Sequence, residues 1–178
     1  MNPVTDGRVL AERLAVPTAA AMRRLGERLA GQLRAGDLLI LSGPLGAGKT
    51  TLTQGIGAGL GVRGPVTSPT FVIARTHPSL ASGPALVHAD AYRLASPAEV
   101  DDLDLDTTLT DSVTVVEWGG GLADGLSGDR LELAISVGPA DGEGDELPRE
   151  ITVTGYGNRW IPDGHSVFPL CQPDAEAI

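Results

Sequence analysis

Apolar residues along the chain fall into short runs divided by Gly, Pro, Ser and Thr. The first polar-apolar stretch, residues 8 to 15, reads as a short strand. Pro17-Thr18 then opens a helix with Met22, Leu25, Leu29 and Leu33 on one face and Arg23, Arg24 and Arg28 on the other, ending at Ala35-Gly36-Asp37. Leu38-Leu39-Ile40-Leu41 is apolar throughout, the pattern of a strand covered on both sides. Thr50 to Leu60 reads as a helix, although Gly55, Gly57 and Gly59 each cost it up to about 1 kcal/mol if exposed, so packing must support it. Between 61 and 84 the turn-forming residues flank one expected strand at Phe71-Val72-Ile73.

Ala85-Leu86-Val87-His88-Ala89 predicts a strand ending at Asp90, and Val113-Thr114-Val115-Val116 another ending at Glu117. Between them, Ser96-Pro97-Ala98-Glu99 has the form of a capping box with Pro at the first helical position, which predicts a short acidic helix. Leu131 to Val137 and Ile151 to Thr154 alternate apolar with polar residues, as strands with one wet face do, and the turn-rich segment 138–148 joins them. From Pro162 the chain is polar and contains Pro, which predicts a loose tail.

The 178 residues suit one domain with a proper core. A net charge of −10 argues against autonomous nucleic-acid binding, because phosphate contacts need clustered Lys or Arg; any link to RNA should run through a partner. The single cysteine, Cys171, cannot close an internal disulfide, and the N-terminal stretch lacks the long apolar core of a signal peptide or membrane span. A cytoplasmic location with no membrane contact is the resulting expectation.

Of 13 basic residues only one is Lys, and it lies in Gly43-Pro44-Leu45-Gly46-Ala47-Gly48-Lys49-Thr50, directly between an expected strand and an expected helix. This is the spacing of a phosphate-binding loop, or P-loop. Glycines let successive backbone N–H groups turn toward phosphate oxygens, and the following helix presents its positive end to the same anion. Gly46, Ala47, Gly48, Lys49, Thr50 and Thr51 form the expected cradle, with Lys49 reaching the β- and γ-phosphates and the Thr50 hydroxyl serving Mg²⁺. The bland reading is a Gly-rich strand-to-helix turn without ligand.

Magnesium prefers octahedral oxygen coordination, and two acids, Asp90 and Glu117, follow apolar strands where open α/β sheets assemble their sites. The bland reading of each, a solvated acid at a strand end, carries less weight. Guanine-specific P-loop proteins use an Asn-Lys-x-Asp motif, and the only Lys is committed to phosphate, so ATP is the expected nucleotide. Thr67-Ser68-Pro69-Thr70 is either a γ-phosphate sensor or a Pro-containing turn in which Ser and Thr make local backbone bonds. His88 reads as a structural strand residue rather than a base. The acidic residues Glu99, Asp101, Asp102, Asp104 and Asp106 read as a solvated face or as a contact for a basic partner.

Four blocks together resemble the bacterial TsaE family of tRNA threonylcarbamoyladenosine biosynthesis: Leu45 to Thr51, Thr67-Ser68-Pro69-Thr70-Phe71, His88-Ala89-Asp90-Ala91-Tyr92-Arg93-Leu94, and Glu117-Trp118. The resemblance covers roughly residues 17 to 137. It implies an ATPase, weak alone, that acts with the proteins TsaD and TsaB, which install threonylcarbamoyl on adenosine 37 of tRNA; tRNA is met only through that complex. It further implies that Gly46 to Thr51 bind phosphates, that Thr50 and Glu117 hold Mg²⁺, and that Asp90 and Glu117 form the catalytic neighbourhood. Trp118 orients Glu117, lines the nucleotide pocket or packs in the core, and Thr18 lies toward the adenine end. The chain departs from the family at Pro44, where an acidic residue is common, and in its turn-rich C-terminal portion.

The expected fold class is accordingly α/β, a P-loop NTPase-like sandwich with a mixed sheet flanked by helices and additional antiparallel C-terminal strands. One domain spans residues 1–160 and a flexible tail 161–178. Competing functions are a small-molecule kinase and a nucleotide-gated binding module with negligible hydrolysis. Arg75 and Arg93 can supply charge for phosphoryl transfer, but the absence of a lid-like Arg-rich segment counts against the kinase.

Overall fold

A computed structural model describes residues 6–71, 73–139 and 147–162. Most of the proposed tail, from residue 163, lies outside these residues, as do Val72 and residues 140–146 of the turn-rich segment. The chain runs β1 (Arg8–Val16), α1 (Ala19–Ala30), β2 (Leu38–Ser42), α2 (Lys49–Leu60), β3 (Ala74–His77), β4 (Ala85–Asp90), α3 (Pro97–Asp101), α4 (Leu105–Leu109), β5 (Ser112–Glu117), β6 (Arg130–Val137) and β7 (Arg149–Tyr156). The seven strands form one sheet in the order β1-β7-β6-β2-β5-β4-β3. Strands β6, β2, β5 and β4 are mutually parallel, whereas β7, β1 and β3 pair antiparallel at the two sides.

Helices cover both faces, and β2 shows the division residue by residue. Leu39 and Leu41 enter the core shared with Met22, Leu25 and Leu29 of α1 and Leu52 and Ile56 of α2. Leu38 and Ile40 enter a second core closed by Val100 of α3 and Leu105 of α4. This is why β2 reads as an unbroken apolar run while β6 and β7 alternate.

The Thr18 hydroxyl caps α1 by accepting the Ala21 N–H at 3.1 Å. The helix stops at Ala30, short of the expected end at residues 35–37. Gly31, Gln32 and Leu33 donate to carbonyls three residues back, tightening the last turn, and Leu33 keeps its buried place from the following loop. Ser96 caps α3 as the capping box requires, but Glu99 reaches back to the Ala95 N–H, and the acidic segment divides into two short helices.

The expected strand at 71–73 is also corrected. Phe71 is 86% exposed, Ile73 has φ +69°, and the Ile73 N–H bonds back to the Pro69 carbonyl at 2.6 Å, so the chain turns there and pairs with β4 only from Ala74.

The glycines that weaken α2 on propensity let it approach α1. A Cβ on Gly55 would stand 2.1 Å from the Arg23 carbonyl oxygen, and one on Gly26 would stand 2.4 Å from that of Leu52. The close contact holds α2, and hence the loop preceding it, against the sheet.

Candidate phosphate and metal site

The loop between β2 and α2 leaves the carboxyl end of the central strand. At its end Gly48 sits at φ +105°, a backbone conformation that side chains oppose, and serves as the N-cap of α2 without a side-chain hydrogen bond. Thr18 and Ser96 cap α1 and α3, so α2 differs: its first N–H groups have no intrahelical partner and, among the described residues, no capping side chain. A helix end built this way favours an anion. Ala47 is buried beneath the loop, its N–H donating to the Pro44 carbonyl.

Lys49 extends over the loop, its Nζ donating to the carbonyls of Gly43 at 2.8 Å and Pro44 at 2.9 Å. Its ammonium also lies 3.8 Å from the centre of the Trp118 ring. Burial pushes the Lys49 pKa below its ordinary value, while Glu117 and Asp90 pull it back up.

The parallel ladder between β4 and β5 puts Asp90 and Glu117 in register, and Glu117 is also in register with Leu41 at the end of β2. Two carboxylates therefore stand side by side next to the phosphate-loop strand. The Thr50 hydroxyl, on the first turn of α2, donates to the Glu117 carboxylate at 2.9 Å. Asp90 accepts the Thr70 hydroxyl at 2.7 Å and the Tyr92 N–H at 2.9 Å, while the Ser68 hydroxyl meets that of Thr70 at 2.7 Å. A cleft of about 320 Å³ joins these groups, bounded by Gly46, Gly48, Lys49, Thr50 and Thr51 on one side and Ser68, Thr70, Asp90, Glu117 and Trp118 on the other.

With that geometry in view, likeness to known proteins narrows the family. The profile described as "Threonylcarbamoyl adenosine biosynthesis protein TsaE" matches residues 16–143. The chain belongs to the TsaE family. A Streptomyces coelicolor relative named "tRNA threonylcarbamoyladenosine biosynthesis protein TsaE" is 64% identical over 148 residues, covering 83% of this chain and 99% of the relative. A Bacillus subtilis relative of the same name is 40% identical over 126 residues, covering 70% of this chain and 73% of its own. The crystal structure of YdiB from Bacillus subtilis superposes with a TM-score of 0.65 at 30% identity, over 86% of this chain and 90% of that one.

In this TsaE-family chain the phosphate-loop residues, Asp90 and Glu117 converge on one cleft, with Ala47 supporting it from below, whereas Thr18, expected toward the adenine end, caps α1 and does not line it. Trp118 lines the cleft instead of the core: it has φ +60° immediately after β5, and its ring meets that of Tyr92 at 5.0 Å. The hydroxyls of Ser68 and Thr70 bond to each other and to the Asp90 side chain, where local backbone bonds were expected, and both residues line the cleft. Arg93 stacks on exposed Phe71 and Arg75 bonds to the Thr67 hydroxyl; neither lines the cleft. The five acidic residues of the α3–α4 segment are solvent-exposed. No helix among the described residues is long and apolar enough to cross a membrane.

Sequence reasoning missed the contact that His88 makes, among others. His88 is a buried strand residue, as expected, yet its Nε2 lies 2.7 Å from Glu117 Oε1. Strand alternation carried the signal, since His88 and Asp90 are two residues apart on one face of β4. What alternation alone does not give is the neighbouring strand.

Proposed function

We propose that this chain binds and hydrolyses MgATP as an accessory ATPase, slow by itself, that serves TsaD and TsaB in threonylcarbamoylation of tRNA adenosine 37. One observation carries the nucleotide part: the Thr50 hydroxyl and the Glu117 carboxylate meet at 2.9 Å beside a helix N-terminus that no described side chain caps. The donor set fits a hard cation next to phosphate. Such an ion would complete its coordination with water and phosphate oxygens.

In this reading Gly46 to Thr51 bind the phosphates through backbone N–H groups, Lys49 leaves the loop carbonyls to pair with β- and γ-oxygens, and Thr50 and Glu117 hold Mg²⁺. The bound ion neutralises charge on the phosphates. Asp90 orients a water for attack, and its bond to Thr70 makes the 67–71 segment responsive to what occupies the cleft. Trp118 shields Lys49 from water. The names of the relatives support the tRNA part, and the charge of −10 favours reaching tRNA through TsaD and TsaB.

The test is multiple-turnover modification of tRNA by purified TsaD and TsaB supplied with the threonylcarbamoyl donor, with and without this chain and ATP. Repeated turnover should need both. Turnover unchanged by omitting the chain would refute the biological role while leaving nucleotide binding to be judged by calorimetry. Thr70→Ala should bind ATP and support modification poorly.

A further inference from the structure

We infer that His88 is a positioning residue that fixes the Glu117 carboxylate toward Thr50 and so sets how strongly the site holds a divalent cation. The inference rests on the Mg²⁺ reading proposed above. On the ladder His88 is in register with Val115, one alternation short of the Asp90–Glu117 rung, so its ring lies diagonally beneath the Glu117 side chain on the same sheet face. The pair is enclosed, with the His88 side chain 0% exposed and that of Glu117 4%.

A carboxylate only accepts hydrogen bonds, so the 2.7 Å contact requires the proton on Nε2 and makes His88 the donor. The opposite ring nitrogen, Nδ1, is buried with no hydrogen-bond partner among the described residues. A residue placed there for packing alone would be better apolar, since burying an imidazole strands that nitrogen. The polar bond the ring does make goes to the carboxylate beside Thr50.

The two bonds on Glu117 differ in kind. Thr50 stands at the cleft, where its hydroxyl oxygen has a lone pair to offer a cation while its O–H is directed at Glu117. His88 does not line the cleft and can keep its bond throughout. It touches neither nucleotide nor ion, and acts by holding one carboxylate rotamer in a site with few other donors.

The experiment measures ADP affinity of the full chain by calorimetry, in Mg²⁺ and in EDTA, for wild type and for His88→Gln, His88→Asn and His88→Leu. The Gln amide nitrogen reaches the Nε2 position, whereas that of Asn reaches only the Nδ1 position. In the Asn and Leu variants the tightening by Mg²⁺ should fall by roughly 10-fold or more, with EDTA affinity and circular dichroism unchanged, and Gln should restore it. Equal Mg²⁺ tightening in wild type and Asn, or failure of a folded Gln variant to restore it, would overturn the role of His88. Loss of the fold or of EDTA affinity in both Asn and Leu would assign the residue to the core and overturn it too. A wild-type chain indifferent to Mg²⁺ would instead remove the metal reading on which the inference stands.

Discussion

Replacing Gly55 by Ala sets two effects of known sign against each other. On propensity alone Ala should stabilise α2 by about 1 kcal/mol. The structure reverses that expectation, because the new Cβ would stand 2.1 Å from the Arg23 carbonyl oxygen and 3.0 Å from the Gly26 Cα. Both are backbone atoms, so no side chain can swing aside. Restoring a carbon–oxygen separation of about 3.3 Å requires the helices to part by roughly 1 Å. Overpacking of this kind costs typically about 1–3 kcal/mol, and a backbone clash belongs at the upper end. The net loss is then about 2 kcal/mol, or a fall in Tm of roughly 4–8 °C for a domain of this size. Urea unfolding followed by circular dichroism measures it. Nucleotide affinity should weaken as well, because α2 carries Lys49 and Thr50. A Gly55→Ala chain as stable as wild type, or more so, would refute the account of the helix contact.

Lys49→Ala should weaken MgATP binding by roughly 10- to 100-fold, the value of a charge-assisted hydrogen bond, while leaving the fold intact; equal affinities by calorimetry would exclude the phosphate role. Thr50→Ala and Glu117→Ala should each abolish Mg²⁺-dependent hydrolysis, and full activity in Glu117→Ala would move the metal role to Asp90 or water. Arg159→Ala should cost about 3 kcal/mol in urea unfolding, since it removes the bonds at 2.9 and 3.0 Å to the Asp37 carboxylate and leaves a buried charge with the Arg34 N–H as its remaining described partner; a loss below about 1 kcal/mol would contradict this. Burial lowers the His77 pKa from 6.5, so the unfolded chain takes up a proton that the folded one resists. Stability contributed by the neutral ring is therefore present above pH 6.5 and lost as pH falls below it, and His77→Leu should flatten that acid limb in unfolding measured from pH 7 to pH 5.

The sequence by itself determined the elements whose causes are local. Alternation and unbroken apolar runs marked β2, β4, β5, β6 and β7, the capping hydroxyls of Thr18 and Ser96 marked two helix starts, and the glycine spacing marked the loop before α2. The candidate site was largely legible for the same reason: Lys49 and Thr50 belong to one short motif, and acids at the ends of apolar strands gather at one edge of a parallel sheet. Local pattern misplaced the end of α1, where hydrogen bonds three residues back tighten the turn, and the start of β3, where a left-handed residue at Ile73 turns the chain. Only the tertiary structure decided which strands adjoin. Strand order brought Glu117 next to Leu41 and put His88 beneath it, although 29 residues separate His88 from Glu117 along the chain. It also converted Gly26 and Gly55 from weak helix formers into the surface where α1 and α2 meet, because the worth of a missing Cβ depends on what would otherwise occupy its place.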